Sequence, residues 1–182
     1  MVASPGPANV LLFTLGIQQD IKRSIPFIAS VILSKQIIIW PIGFGVMLID
    51  EFSRQYYVLM SIISLLFILW IGCKIVLMDF SLNGNSNTWA PKFYHGLFVH
   101  PLNPKAWLMV SLAFTSYQKQ EITMFTIQEI AITFFVIQII FHSAWFLAGS
   151  FLRKSEIIES RKNLVKSILI LSLIASIIFT YI

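Results

Sequence analysis

Long apolar stretches alternate with short polar connections along the whole chain. A membrane-spanning helix needs about 20 consecutive apolar residues, and six stretches of this chain approach or reach that length. The pattern therefore predicts an all-α integral membrane protein whose six transmembrane helices contact the lipid bilayer. The predicted spans cover residues 1–17, 25–49, 56–78, 93–117, 127–152 and 164–182.

Prolines interrupt the first and the fourth of these spans. The long connection at 79–92 separates three spans in repeat one, residues 1–78, from three spans in repeat two, residues 93–182. An odd number of spans per repeat inserts the two repeats in opposite orientations, so Pro5 and Pro104 are expected at equivalent positions. Broken spans at matching places in inverted repeats indicate the substrate site of a transporter.

Composition and charge support a membrane protein. Of the 182 residues, 57% are hydrophobic and 12% are charged, whereas soluble domains average about 25% charged residues. The net charge of +5 does not indicate nucleic-acid binding, because the basic residues lie between apolar segments. Two basic residues lie at the second and fourth connections and nine at the others, which predicts a cytoplasmic side for the odd connections and both termini outside. The nine are Lys22, Arg23, Lys74, Lys92, Arg153, Lys154, Arg161, Lys162 and Lys166.

The segment HPLNPKAW, residues 100–107, breaks the fourth span. Backbone groups released by a proline cannot face lipid, so they must line a cavity or be buried in protein. Asn103 is a suitable N-cap and Pro104 a suitable first helical residue. A helix start attracts anions and Lys105 adds a positive charge, so the segment suits a carboxylate. Alternatively, the prolines mark only a loop and Lys105 extends to the cytoplasmic headgroups.

A second lysine, Lys35, lies near the middle of the second predicted span. A charged side chain there costs about 2.5 kcal/mol or more on insertion scales, and such residues usually face the protein interior. We expect Lys35 to act in substrate binding or proton coupling. The alternative is a structural pair with a polar neighbour.

The remaining polar residues within spans carry weaker signals. Glu129 and His142 are candidates for proton coupling, although Glu129 also suits a solvated helix start and His142 a hydrogen-bonded core position. His95 and His100 do not indicate a zinc site, because zinc needs three or four ligands and no carboxylate or cysteine lies near them. We find no nucleophile–base arrangement, so we expect neither an enzyme nor a metal or other cofactor.

Two motifs carry a family resemblance. PGPANV at residues 5–10 and FYHGLFVHPLNPKAW at residues 93–107 resemble the two signatures of the LysE/RhtB family of amino-acid exporters. The resemblance covers nearly the whole chain and implies a single LysE-type transporter domain over residues 1–182. It also implies a bacterial inner-membrane exporter of amino acids or similar small metabolites, driven by the proton gradient.

The resemblance completes the predicted site. We expect the site between the breaks at Pro5-Gly6-Pro7 and Asn103-Pro104-Lys105, with the second break holding the carboxylate of the substrate. Asn9 is expected to contact the amine of an amino-acid substrate. Alternating access would come from rocking one repeat against the other.

The sequence also departs from the family pattern. Only four residues precede PGP, so the first span is half missing or the true start lies upstream of Met1. Family exporters of basic amino acids tend to have a Ser-Asp pair in the second span, where this chain has Ser34-Lys35. A lysine there would repel a cationic substrate, which argues against lysine or arginine export.

Three alternatives remain open from the sequence. The first is an exporter of another small solute or ion, although a metal-ion exporter would need an acidic or thiolate cluster in its spans. The second is an N-terminally truncated protein that folds in the membrane without transporting, and the weakest is an enzyme. A homo-oligomer is compatible with the sequence.

Overall fold

The computed structural model describes residues 2–3, 6–45, 54–77, 90–117, 122–153 and 160–181. Within these ranges the chain forms eight α-helices and no β-strand. Pro5, Met1 and most of the connection at 79–92 lie outside the described residues. The helices are α1 (Pro7–Gln18), α2 (Ile21–Ser34), α3 (Gln36–Gly43), α4 (Arg54–Val76), α5 (Phe93–Leu97), α6 (Pro104–Thr115), α7 (Met124–Arg153) and α8 (Lys162–Tyr181).

Two helical stretches of the described chain are long and apolar enough to cross a membrane. They are Ile21–Gly43, which joins α2 to α3, and the 30 residues of α7, which extend over about 45 Å. The other apolar stretches of helix in the described ranges are shorter, at 10–17 residues each. They are Pro7–Gln18, Leu65–Val76, Lys105–Thr115 and Asn163–Ala175.

The predicted second span is divided at Lys35. The residue has helical dihedral angles, φ −70° and ψ −26°, but it ends α2 and precedes α3. The Lys35 carbonyl accepts from the N–H groups of both Ile38, at 3.0 Å, and Ile39, at 3.1 Å. The helix is therefore locally tightened at the position of its buried charge, a deviation often found at functional positions.

Helices α1 and α6 begin in the same way. Each has a proline at the start of the helix, after an extended residue: Gly6 before Pro7, and Asn103 before Pro104. Proline suits this position because its missing N–H has no partner at a helix start anyway. The predicted helix start at Pro104 is confirmed, and Pro7 starts α1 in the same way, whereas Pro5 lies outside the described residues.

Helix α1 lies in the centre of the molecule. Eleven of its twelve residues are buried, and it packs against α2, α4, α7 and α8. A helix that is apolar on all sides is stable only inside a protein or a membrane. Its closest neighbour is α7, because a Cβ on Gly16 would overlap the Phe146 carbonyl and one on Gly149 would overlap the Phe13 carbonyl. These glycines let the two backbones approach closely.

The remaining contacts bring the helix breaks together. Helix α5 packs on α2, where Gly96 lies against Ser30, while α6 packs on α3. The turn between α5 and α6 therefore lies beside the junction of α2 and α3 and the start of α1. Helix α7 has one apolar side exposed, which suits contact with lipid. The exposed side chains include Phe125, Ile132, Val136, Ile140 and Leu147.

Candidate functional site

A cavity of about 40 Å³ lies where the helix breaks meet. It has room for about three water molecules, at ~10–15 Å³ each. The start of α1, the α2–α3 junction, the start of α6 and the middle of α7 all contribute to its walls. Residues around the cavity include Gly6, Pro7, Asn9, Lys35, His100, Asn103, Lys105 and His142.

Most of the site residues predicted from the sequence border this cavity. Pro104 begins α6 and directly follows Asn103, which lines the cavity. Pro5 lies outside the described residues. Glu129 does not belong to the cavity: it is exposed and its carboxylate lies against the Tyr117 hydroxyl. His142 follows it 13 residues later on α7, about 20 Å along the helix axis.

The cavity is positively charged. Lys35 and Lys105 both border it, and its described lining contains no carboxylate. Lys35 is only 2% exposed, and its Nζ lies 4.8 Å from the centroid of the Phe134 ring. This cation–π contact contributes about 0.5–2 kcal/mol, which offsets only part of the cost of burying a charge. A bound anion would stabilise this arrangement.

The start of α6 has the N-cap that the sequence predicts. The Asn103 Oδ1 accepts a hydrogen bond from the Lys105 N–H at 3.0 Å, and the Asn103 carbonyl accepts from the Ala106 N–H at 2.8 Å. The N–H groups of Lys105 and Ala106 are therefore already engaged and do not donate to a substrate. Lys105 can still offer its ammonium, and the helix dipole still favours an anion there.

A continuous chain of hydrogen bonds runs along one side of the cavity. The His142 Nδ1 lies 2.8 Å from the Asn9 Oδ1, and the His142 Nε2 lies 3.2 Å from the Gln138 Nε2. The Gln138 Nε2 also lies 3.3 Å from the His100 Nε2, and the His100 Nδ1 lies 2.8 Å from the Ser34 Oγ. The chain joins α1, α7, the α5–α6 turn and α2.

Three members of this chain, Ser34, Gln138 and His100, were not predicted as site residues. One signal was available for Gln138, because it precedes His142 by four residues and so lies on the same face of α7. His100 borders the proline break, but the only role considered for it was metal binding. No property of the sequence pairs His100 with α7, since that contact depends on helix packing.

Asn9 is already engaged in hydrogen bonds. Its Nδ2 donates to the Val2 carbonyl at 2.8 Å, while its Oδ1 faces His142. Asn9 also borders the cavity. Asn9 is thus suited to contact both a substrate and His142.

Comparison with known proteins agrees with these features. The family model described as LysE type translocator matches residues 1–182. No match was found among curated proteins, and none among solved structures. The match covers the whole chain and includes both helix starts that form the cavity. The chain belongs to the LysE-type translocators, a family of membrane transporters rather than of enzymes.

Proposed function

We propose that the protein is a secondary transporter that exports amino acids, or similar small carboxylate-bearing metabolites, across the bacterial inner membrane. The observation that carries the proposal is the cavity between the starts of α1 and α6. Two lysines border this cavity, and no carboxylate borders it among the described residues. Membership of a translocator family supports transport as the activity, and the charge of the cavity supports an anionic group on the substrate.

The substrate carboxylate binds between Lys105 and the start of α1. Charge-assisted hydrogen bonds of this kind contribute about 1.5–3 kcal/mol each. The N-terminal end of α1 adds a partial positive charge at Gly6 and Pro7. Lys35 makes the opposite side of the site repel a cationic side chain, so neutral or acidic amino acids are the substrates and lysine and arginine are not.

The substrate amine binds at Asn9. An ammonium in the cavity can donate to the side-chain oxygen of Asn9, because Asn9 borders the cavity and its Oδ1 lies 2.8 Å from the His142 Nδ1. The carboxylate and the amine are then held by different helices. Such a two-point arrangement selects amino acids over simple carboxylic acids, because both groups must be satisfied at once.

The transporter has six spans in two inverted repeats, residues 1–78 and 93–182, joined by a cytoplasmic connection at 79–92. The matching proline starts of α1 and α6 support this architecture. The crossing of α1 and α7 supports it too, because Asn9 meets His142 and Gly16 meets Phe146, so the helices run in parallel. Parallel orientation is required of a first and a fifth span. Both termini then lie outside, and rocking of the repeats exposes the site to each side in turn.

The site comprises the two helix breaks and the buried lysine between them. We assign Pro5, Gly6, Pro7 and Asn9 to the first break, and Asn103, Pro104 and Lys105 to the second. Inward movement of protons drives export, with His142 and Lys35 as the titrating candidates at the cavity. Glu129 takes no part in this scheme because of its distance from the cavity along α7.

Efflux measurements test the proposal. Cells expressing the protein are fed a panel of dipeptides, and the amino acids released into the medium are quantified. We expect faster release of one or more neutral or acidic amino acids, and a loss of about 10–100-fold in Lys105→Ala, corresponding to one charge-assisted hydrogen bond.

A matched control uses a lysine away from the cavity. Lys74 is exposed on α4, so Lys74→Ala should export at the unchanged rate. Membrane content of every variant is measured by immunoblot. Release of lysine or arginine alone, or equal export by Lys105→Ala and Lys74→Ala, would contradict the assignment of the site. Absence of any release from protein present in the membrane would favour the non-transporting alternative.

A further inference from the structure

His100, Gln138 and His142 form a unit buried in the centre of the protein. Gln138 is 0% exposed, His142 is 2% exposed and His100 is 4% exposed. The Gln138 side chain bridges the two imidazoles through its Nε2, which lies within 3.3 Å of both Nε2 atoms. A buried amide placed between two titratable rings is a costly arrangement unless its hydrogen bonds are satisfied.

With the Gln138 amide oriented so that its Nε2 faces both rings, the bridge assigns a proton position to each imidazole. The amide Nε2 of Gln138 has two hydrogens and accepts none, so it donates to both histidine Nε2 atoms. Each ring then carries its proton on Nδ1. The His142 Nδ1–H donates to the Asn9 Oδ1, and the His100 Nδ1–H donates to the Ser34 Oγ.

Every donor in this arrangement has an acceptor when both histidines are neutral. The Ser34 hydroxyl completes the chain by donating to the Val31 carbonyl at 2.7 Å. One atom is left over: the Gln138 Oε1 is buried and has no hydrogen-bond partner among the described residues. This unsatisfied acceptor lies on the same amide group that bridges the histidines.

We propose that the histidine pair carries the coupling proton and that rotation of the Gln138 amide accommodates it. A half-turn of the amide places Oε1 where Nε2 was, facing both rings, and moves the NH₂ group to the buried position that Oε1 occupied, with almost no change in shape. A proton bound at the His142 Nε2 then donates to Oε1, while the His142 Nδ1–H keeps its bond to Asn9.

One proton is sufficient for the exchange. His100 changes tautomer, so that its Nε2–H also donates to Oε1 and its Nδ1 accepts from the Ser34 hydroxyl. Ser34 gives up its bond to the Val31 carbonyl, which is within its own helix. The net change is one added proton, held on His142. After the exchange, each ring nitrogen that accepts a hydrogen bond faces a donor, and each ring N–H faces an acceptor.

The surrounding charges decide when that proton can bind. Within the described part of the chain, Lys35, from the α2–α3 junction, and Lys105, from α6, are the charged groups that border the same cavity. Asn9 on α1 and Ser34 on α2 are neutral, as is Gln138 on α7. A substrate ammonium at Asn9 would add a positive charge next to His142, so substrate amine and coupling proton exclude one another. Mutual exclusion is the requirement for exchanging an outgoing substrate against an incoming proton.

The inference rests on the proposed export activity, but its first test needs no substrate. The chain has three histidines, so a His95→Asn background leaves only the proposed pair. In the parent protein the Lys92 N–H donates to the His95 Nδ1 at 2.9 Å. The side-chain oxygen in His95→Asn can accept this hydrogen bond instead. Nitrogen-15 NMR of histidine-labelled protein in liposomes then reports the protonated nitrogens from alkaline to acidic pH.

We expect both rings in the Nδ1–H form at alkaline pH and one joint transition that adds a single proton. Gln138→Met fills the same volume without the bridge and should separate the two rings into independent transitions. Gln138→Glu offers oxygens to both rings and should move proton uptake to higher pH. Two Nε2–H rings at alkaline pH, or transitions unchanged by either substitution, would overturn the proposal, whatever the protein transports.

The second test separates coupling from transport. Proteoliposomes are assayed with radiolabelled L-alanine and L-aspartate, by exchange at equal pH and by accumulation under an imposed pH gradient. Gln138→Met should retain exchange and lose at least about tenfold of the pH-driven accumulation, while His95→Asn retains both. Equal pH-driven accumulation by Gln138→Met and the parent protein would refute the proton unit. Absence of exchange in the parent protein would instead count against the proposed export of these amino acids, and the NMR result would then decide the proton unit.

Discussion

The close crossing of α1 and α7 provides the sharpest test of the structure. Gly149 packs against the backbone of Phe13, and an added Cβ would overlap the Phe13 carbonyl oxygen. A backbone carbonyl inside a buried helix cannot move aside by changing a rotamer. Gly149→Ala must therefore push the helices apart or strain them, at a cost of about 1–3 kcal/mol for overpacking.

Gly149→Ala should also disturb the hydrogen bond between Asn9 and His142 at the candidate site. Asn9 and His142 each lie seven residues, about two turns, before Gly16 and Gly149, on the faces where α1 and α7 meet. Separation of the helices would lengthen the 2.8 Å contact between the Asn9 Oδ1 and the His142 Nδ1. Loss of a buried hydrogen bond that leaves its groups unsatisfied costs a further ~1–3 kcal/mol.

Thermal unfolding in detergent measures the sum of the overpacking cost and the hydrogen-bond cost. For a domain of this size, 1 kcal/mol corresponds to a shift in Tm of roughly 2–4 °C, so a total cost of about 2–6 kcal/mol in Gly149→Ala should lower Tm by about 4–24 °C. Gly72→Ala is the control, because its Cβ would meet the end of the flexible Leu173 side chain, which can shift. A Gly149→Ala variant as stable as Gly72→Ala would refute the close backbone crossing.

Two further substitutions test individual residues of the site. Asn103→Ala removes the N-cap of α6 and should lower the free energy of unfolding by about 0.5–2 kcal/mol, while Asn103→Asp should restore most of it, as measured by thermal unfolding. Lys35→Met removes a buried charge while keeping the length of the side chain. We expect equal or higher thermal stability than the parent protein but loss of export, and a variant that is destabilised and still exports would contradict a substrate role for Lys35.

The features that local chemistry determines were predicted correctly. Proline lacks an N–H and asparagine accepts from a helix start, so the start of α6 at Pro104 and its cap at Asn103 follow from neighbouring residues. Apolar composition likewise determines the helical, membrane-embedded class. The division of the second span at Lys35 was not predicted, because no proline or glycine marks that position.

The residues that depend on helix register were predicted less well. Glu129 and His142 are both polar residues in one apolar helix, and the sequence offered both as proton carriers. Their 13-residue separation places Glu129 against Tyr117 and His142 at the cavity. The positions of Glu129 and His142 along and around α7, rather than their residue types, decide which of them borders the cavity.

The sequence by itself determined where the chain must be helical, where its helices begin and which charges lie among apolar residues. Tertiary structure alone decided which of those residues meet. Asn9 and His142 are 133 positions apart, and their contact exists because glycines let α1 and α7 approach closely in parallel. Backbone chemistry acts over a few residues and can be read locally, whereas a hydrogen bond between helices depends on the packing of every side chain that sets their distance and rotation.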